Sequence, residues 1–530
     1  MKNSTFRKMT FSLLVIALSM VSNAASVVRY VTLNGAGDFS GSSWENAADG
    51  LTTSIQAQID LVFANPDRGE VRFGAGTYAI TATLTLKDGA SLIGGYPASP
   101  VTSTNETRNW VTNQTIFDGG DARKLLNAPE VAGILYSHIT TIDGLIIQRG
   151  RASYGSAVVL CYGFVMQNCI VRNNTYSGTS SDLGGAIRIY RNSFGGASTA
   201  PAANGTPNAL NCGAALINCL IVNNTTSKGP AAINVDGYSS SSIINCVIAN
   251  NLTTDTRTTK IRNTNNRGYF PGGIFIGSYA HGSRVVNNIF YNNSNNGQKD
   301  CDKHLGSGFY AGALYNNYFD GDQAWKDSVA VYYERPTSTT TAYYKNFNIN
   351  NNKCNVDFAA STIFEGANTV LGSGTTPEET AAIYASNWKL KTGSGCIGTG
   401  ISSTNADVTY PYIFMTSAGA ANRAYSTITT DLGGSARVSG TSPDMGAYEY
   451  ADTSTFIHQT LQSGLVLVKG NAIQLLATVK SIEIYNTTGS MINTMNNLTK
   501  GQVISIKNSG IYFVKIKSAQ GINIQKIFIQ

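Results

Sequence analysis

Arg257, Lys260 and Arg262 lie close together in DTRTTKIR, and Tyr279 and His281 follow a short way on. Such groups suit proton abstraction beside a carboxylate: a cation neutralises a uronate carboxylate and a base removes the proton from the adjacent carbon. That is the chemistry of a polysaccharide lyase. Often a Ca²⁺ ion held by several carboxylates assists. Here Asp236, Asp255, Asp300 and Asp302 are scattered and only the last two are close, so a Ca²⁺ site lacks its cluster and no cofactor is predicted. Cys301 and His304 lack two further zinc ligands nearby, and no Gly-x-Ser-x-Gly elbow, P-loop or zinc-protease motif is present.

The competing chemistry is binding without turnover. In GGAIRIY, GPAAINV and GGIFIGS, taking the isoleucines and valine as inward leaves Arg188, Tyr190, Asn234, Asp236 and Phe275 as outward neighbours. Tyr190, Tyr238, Tyr279 and Phe275 can stack on sugar rings while amides and hydroxyls bond sugar hydroxyls. Insertions at about 191–211 and 252–271 enter beside this region and can wall a cleft. The bland alternative is packing beneath those insertions, and an adhesin or structural surface role stands as the alternative function.

The elements that would position these side chains follow from a repeat. MQNCIVRNN, LINCLIVNN, IINCVIANN, VVNNIFYNN and LYNNYFDGD recur, with a weaker first copy, TIDGLIIQRG, in units of about 25 to 29 residues interrupted twice by some 20 more. Each phrase is too short for a helix and alternates like a strand. Short strands cornered by Gly or Asn cannot bury an apolar face alone, but stacked coils can. This predicts an all-β fold, a right-handed parallel β-helix solenoid. Equivalent residues then lie over one another. Asn168, Asn218, Asn245, Asn287 and Asn316 are expected to form a hydrogen-bonded structural ladder. Asn174, Asn224, Asn251 and Asn293 are expected to hold left-handed corners. At the entrance, Ile55, Ile59 and Val62 share one face of a short helix from about Thr53 to Ala64, suited to capping the first rung.

YVTLNGAGDFSGSSWENA at 30, GAGTY with LTLKDGASLIGGY, NETRNW with TIFDGGD, and RVSGTSPDMGAYEY at 437 together resemble exported bacterial right-handed β-helix proteins. The resemblance covers about residues 28 to 452. It implies a pectate-lyase-like fold and an exchangeable anchoring or sorting segment. Glycoside hydrolases of that fold carry neighbouring carboxylates before a His-Gly pair and a later Arg-Ile-Lys. Here the His-Gly at 281 has no Asp pair before it and Lys-Ile-Arg comes too early, so that activity is disfavoured.

After Glu449-Tyr450 the composition changes. Residues 455–530 carry seven Lys against the single Glu483, and apolar strands divided by turn signals predict a small β-sandwich. IYNTTG, GIYFVKI and a Lys-containing last strand are similar to the sorting domain of the type IX secretion system of Bacteroidetes. That resemblance implies engagement of that export machinery. The expected divisions are a signal peptide at 1–24, a β-helix domain at 25–452 and a sorting domain at 453–530. The signal is read from Lys2, Arg7 and Lys8 before an apolar run ending in Ser22-Asn23-Ala24.

No later apolar run approaches the ~20 residues a membrane span requires, so no transmembrane segment is expected. The net charge of +7 comes from the signal and the C-terminal region, leaving the body near neutral and without a nucleic-acid footprint. Cys169, Cys219 and Cys246 share one place in the repeat and read as small core residues. Cys161, Cys212, Cys301, Cys354 and Cys396 leave one or two disulfides open. The expectation is a secreted or cell-surface protein that interacts with polysaccharide, with lyase activity on a uronate-containing glycan an open question.

Overall fold

The computed structural model describes residues 26–98, 106–129, 138–179, 184–190, 212–237, 239–255, 271–277, 280, 283–295, 304–307, 313–321, 349–354, 363–365, 388–401, 412–416, 419–422, 429–450, 465–469, 471–518 and 521–529. The chain divides into two compact units, Met1–Tyr450 and Ala451–Gln530.

The first unit is a right-handed parallel β-helix. One rung runs through Phe164–Gln167, Ile170–Arg172, Thr175–Tyr176 and Ile187–Ile189, and Cys212–Ile217 begins the next. Stacking turns these four positions into four parallel sheets of ten, nine, five and seven strands, called here the first to fourth sheets in rung order. The β-branched and aliphatic residues alternate as a pleat requires, so like lies over like. Val171, Ile221, Ile248, Phe290 and Phe319 form one buried column, and Met166, Leu216, Ile243, Val285 and Leu314 another.

The asparagine columns exchange the roles expected of them. Asn168, Asn218, Asn245, Asn287 and Asn316 hold the left-handed corner between the first and second sheets, with φ from 45° to 56°. Asn173, Asn223, Asn250 and Asn292, one residue before the expected corner positions, hold the next corner at φ 47° to 55°. The continuous ladder is Asn174–Asn224–Asn251–Asn293, in which each Nδ2 donates to the next Oδ1 at 2.9 Å. In the first column Asn218 Nδ2 reaches Asn168 Oδ1 at 3.3 Å, longer than the bonds of the inner ladder. The residue after a left-handed corner turns into the interior, where strand pairing leaves backbone N–H groups over, and a carboxamide there serves those and its neighbours at once. The inward column after the first corner carries Cys169, Cys219 and Cys246, then changes to Asn288, Asn317 and Asn352, which bond Nδ2 to Oδ1 at 3.0 Å. Cys161, Cys169, Cys219, Cys246, Cys354 and Cys396 are buried thiols outside any disulfide.

The helix Thr52–Ala64 packs on the first strands through Ile55, Ile59 and Val62, all fully buried and each contributing about 1.5–3 kcal/mol. Thr52 Oγ1 accepts the Thr81 N–H at 2.8 Å, which ties the helix start to the first rung.

A return segment covers the outer face of the second sheet. Trp388, Leu390, Cys396, Leu432, Met445, Ala447 and Tyr448 form a second core with the outward column Ile116, Ile146, Ile170, Leu220, Val247 and Ile289. Gly446 makes this approach close: its φ is 91°, and a Cβ there would lie 2.7 Å from Ile289 Cδ1.

The second unit is a β-sandwich. Val466–Lys469, Ala472–Leu475 and Val503–Ser505 form one antiparallel sheet. Met491–Leu498, Val479–Tyr485, Gly510–Ser518 and Gly521–Ile529 form the other. Ile473, Leu475, Ile482, Ile484, Val514, Ile516, Ile527 and Ile529 fill the interior.

Candidate functional site

The fourth sheet brings part of the expected set together. Val159, Arg188, Asn234 and Phe275 stand in register on successive rungs. Arg188, Asn234 and Phe275 are nonetheless at most 6% exposed, so this column is covered rather than open. Arg188 turns to Asp236 of the next rung, with Nε donating to Oδ1 at 3.1 Å and Nη2 to Oδ2. Its Cζ lies 4.0 Å from the centre of the half-buried Tyr154 ring. Burial opposes the charge of Arg188, but the Asp236 carboxylate outweighs it and holds the guanidinium pKa above its ordinary value. Nη1 of the same group is buried without a hydrogen-bond partner.

Tyr190 departs from expectation. It is 1% exposed, belongs to the main core, and its hydroxyl donates to the carbonyls of Pro129 and Ala128. The strand ends at Ile189, so the in-out alternation does not extend to the next residue. Arg257, Lys260, Arg262, Tyr238, Tyr279 and His281 lie outside the described residues.

Two residues that sequence reasoning missed complete the patch. Lys124 Nζ lies 4.7 Å from the centre of the Tyr154 ring and donates to Asn127 Oδ1 at 3.0 Å. Both Lys124 and Tyr154 come just before strands of the fourth sheet, Leu126–Asn127 and Val158–Leu160. The available signal was that rung position, just outside the alternating strand residues. The patch thus gathers two cations on one aromatic ring, with Asp236 paired to one of them. Among the described residues, no group of three or more His, Cys, Asp or Glu could hold a metal ion.

A cleft of about 210 Å³ opens at the corner between the first and second sheets, lined by residues that include Trp110, Gln114, Gly144, Asn168, Lys389 and Tyr448. Two phrases distant in the chain make it. Trp110 Nε1 donates to the Leu432 carbonyl at 2.8 Å, and Arg108 lies 4.6 Å from the indole centre. Arg108 Nη2 is 2.7 Å from Asp143 Oδ1, and Asp143 also accepts from Gln167 and Asn168 at 2.6 and 2.9 Å. The return segment is held by a buried knot. Arg437 Nη2 donates to the Asp444 carbonyl at 2.6 Å, and its Nη1 reaches Asn218 Oδ1 at 3.4 Å. Glu449 accepts the Asp444 N–H and lies 3.6 Å from Arg437 Nε. Burial pushes the Glu449 carboxyl up, to about 9, against the pull of Arg437.

Comparison with known proteins adds to this geometry. No curated protein matches the chain. A solved structure titled "Crystal structure of pectate lyase Pel9A" is similar at 14% identity and a TM-score of 0.35, covering 81% of this chain and 97% of its own. So loose a likeness says nothing of this chain's chemistry. Residues 466–530 match the family described as the Secretion system C-terminal sorting domain, which implies export to the cell surface or beyond. No helix among the described residues is long and apolar enough to cross a membrane. The chain therefore joins a parallel β-helix body to a C-terminal β-sandwich that matches the secretion-system sorting-domain family.

Proposed function

We propose that the β-helix body binds polysaccharide at the cell surface or in the medium, with the margin of the fourth sheet, where Tyr154 and Lys124 precede its strands, as the contact. The observation that carries this is the Tyr154 ring, half-buried and flanked by Arg188 at 4.0 Å and Lys124 at 4.7 Å. The cations lie over the ring, so its exposed edge packs against a sugar while the cations bond hydroxyls or acidic substituents. Asp236 pairs with Arg188, and Lys124 brings a second cation to the ring, a composition that suits acidic chains.

Retention of the mature protein on immobilised acidic and neutral polysaccharides tests the reading, with unsaturated product followed by absorbance in the same samples. Retention that falls about tenfold in Tyr154→Ala and in Lys124→Ala supports it. Retention unchanged in both variants, or absent from every polysaccharide, overturns it and leaves a scaffold or adhesin role. Product that disappears in Lys260→Ala or Arg262→Ala would make the binder a lyase.

A further inference from the structure

A cleft lies away from the fourth sheet, at the corner beside Trp110. Its volume of about 210 Å³ is below the ~300–1,000 Å³ of pockets that enclose drug-sized ligands, which leaves room for one ring. The floor is apolar: Leu145, Ile146 and Ile170 belong to the outward face of the second sheet, where it emerges from under the return segment. One wall is the Trp110 indole, fixed by the Leu432 carbonyl and backed by Arg108.

Among the lining residues Lys389 carries the one charge. It is exposed and forms no salt bridge among the described residues, although Glu365 on the facing segment is near enough for its N–H to donate to the Lys389 carbonyl at 2.9 Å. That backbone bond and the return donation from Lys391 N–H to the Ile363 carbonyl set the lysine at the rim. The neighbouring charges are spent on one another. Arg108 pairs with Asp143, whose carboxylate also takes two side-chain amides. Asp431, behind the Leu432 wall, is buried and accepts the Ser435 and Glu449 N–H groups. A lysine at the rim of an apolar floor, with no salt bridge among the described residues, draws an anion to the cleft.

We propose that this cleft binds a single anionic ring, its face on Trp110 and its acidic substituent at Lys389. An acidic sugar residue and an aromatic carboxylate share this chemistry. The site is separate from the fourth-sheet patch and does not depend on the function proposed for it.

The test is tryptophan fluorescence and calorimetry on the mature full chain with glucuronate, with benzoate and with uncharged methyl glucoside. Saturable binding of glucuronate or benzoate, weakened about tenfold in Lys389→Met, restored in Lys389→Arg and unaffected by Tyr154→Ala, is the expected result. Glucuronate alone would name the sugar as the source, and benzoate alone the aromatic acid. Methyl glucoside binding as tightly as both acids, Lys389→Met binding like the parent protein, or no binding of any probe overturns the proposal. Because Tyr154→Ala is read in the same experiment, failure here leaves the fourth-sheet reading to its own polysaccharide assay.

Discussion

Asn224 donates its side-chain amide to Asn251 Oδ1 at 2.9 Å, and the same oxygen takes the Asn224 backbone N–H at 3.1 Å. The other amide hydrogen goes to the Val171 carbonyl of the preceding rung at 3.1 Å, and Asn224 Oδ1 accepts the Asn174 backbone and side-chain N–H groups. One fully buried side chain thus serves three rungs. Removing it strands donors on Asn174 and an acceptor on Val171, at about 1–3 kcal/mol for each buried group left unpaired. Asn224→Ala is expected to destabilise the β-helix by about 2–4 kcal/mol, read as a lower denaturation midpoint. A loss below about 0.5 kcal/mol, the size of an ordinary surface change, would remove the ladder from the account of stability.

The two asparagine roles separate at adjacent residues. Asn351 is exposed and left-handed, with φ 53°, whereas Asn352 is 9% exposed and accepts the Asn317 backbone and side-chain N–H groups at 3.0 Å. Asn351→Ala should cost about 1–2 kcal/mol, because a Cβ is disfavoured in that conformation, and Asn351→Gly should cost almost nothing. Asn352→Gly should be damaging, since glycine supplies the conformation but no amide. Equal effects of glycine at the two positions, measured by the same denaturation, would refute the division of roles.

How far the sequence could be read follows from what repeats in it. The solenoid was legible because its contacts join equivalent residues, so the spacing of the Asn phrases also records their stacking. The division of labour between neighbouring columns was not, because both use asparagine and only φ tells the corner from the interior residue after it. Tyr190 was misread at the point where the strand ends and alternation stops. The corner cleft was illegible for another reason. Trp110 and Leu432 are 322 residues apart and belong to no repeat, so nothing in either phrase points to the other. RVSGTSPDMGAYEY marked the family, but its role as a knot on the second sheet appears only when Arg437 meets Asn218 and Asp444.

The thiol column should be chemically silent. Cys169 and Cys219 are fully buried, each Sγ donates to backbone carbonyls, and burial pushes both thiols well above their ordinary pKa. The thiolate is the reactive form, so neither cysteine should react with an aromatic disulfide reagent at pH 8 until the rungs open. Mass mapping of labelled peptides checks this. Modification of Cys169 or Cys219 in native protein, faster than unfolding, would show that the corner column is open.

The Arg437–Glu449 knot gives the body a pH dependence of definite sign. The Glu449 carboxyl is raised from about 4.5 to about 9, first by burial and also by Asp444, with Arg437 and the Asp444 N–H acting in the opposite direction. A folded-state pKa above the unfolded one means that the folded protein binds the proton more tightly. The resulting stabilisation is complete below the unfolded value and is lost as pH rises through the folded value, here between about 4.5 and 9. Asp431, also raised by burial, adds in the same sense. The thermal midpoint of the β-helix transition, followed by near-ultraviolet dichroism, should therefore fall from pH 5 to pH 9. Glu449→Gln imitates the protonated carboxyl and should flatten most of that slope, leaving the share due to Asp431. A Gln variant that melts lower than the parent by the same amount at every pH would mean that Glu449 is ionised against Arg437, and that the return segment is held by a true ion pair.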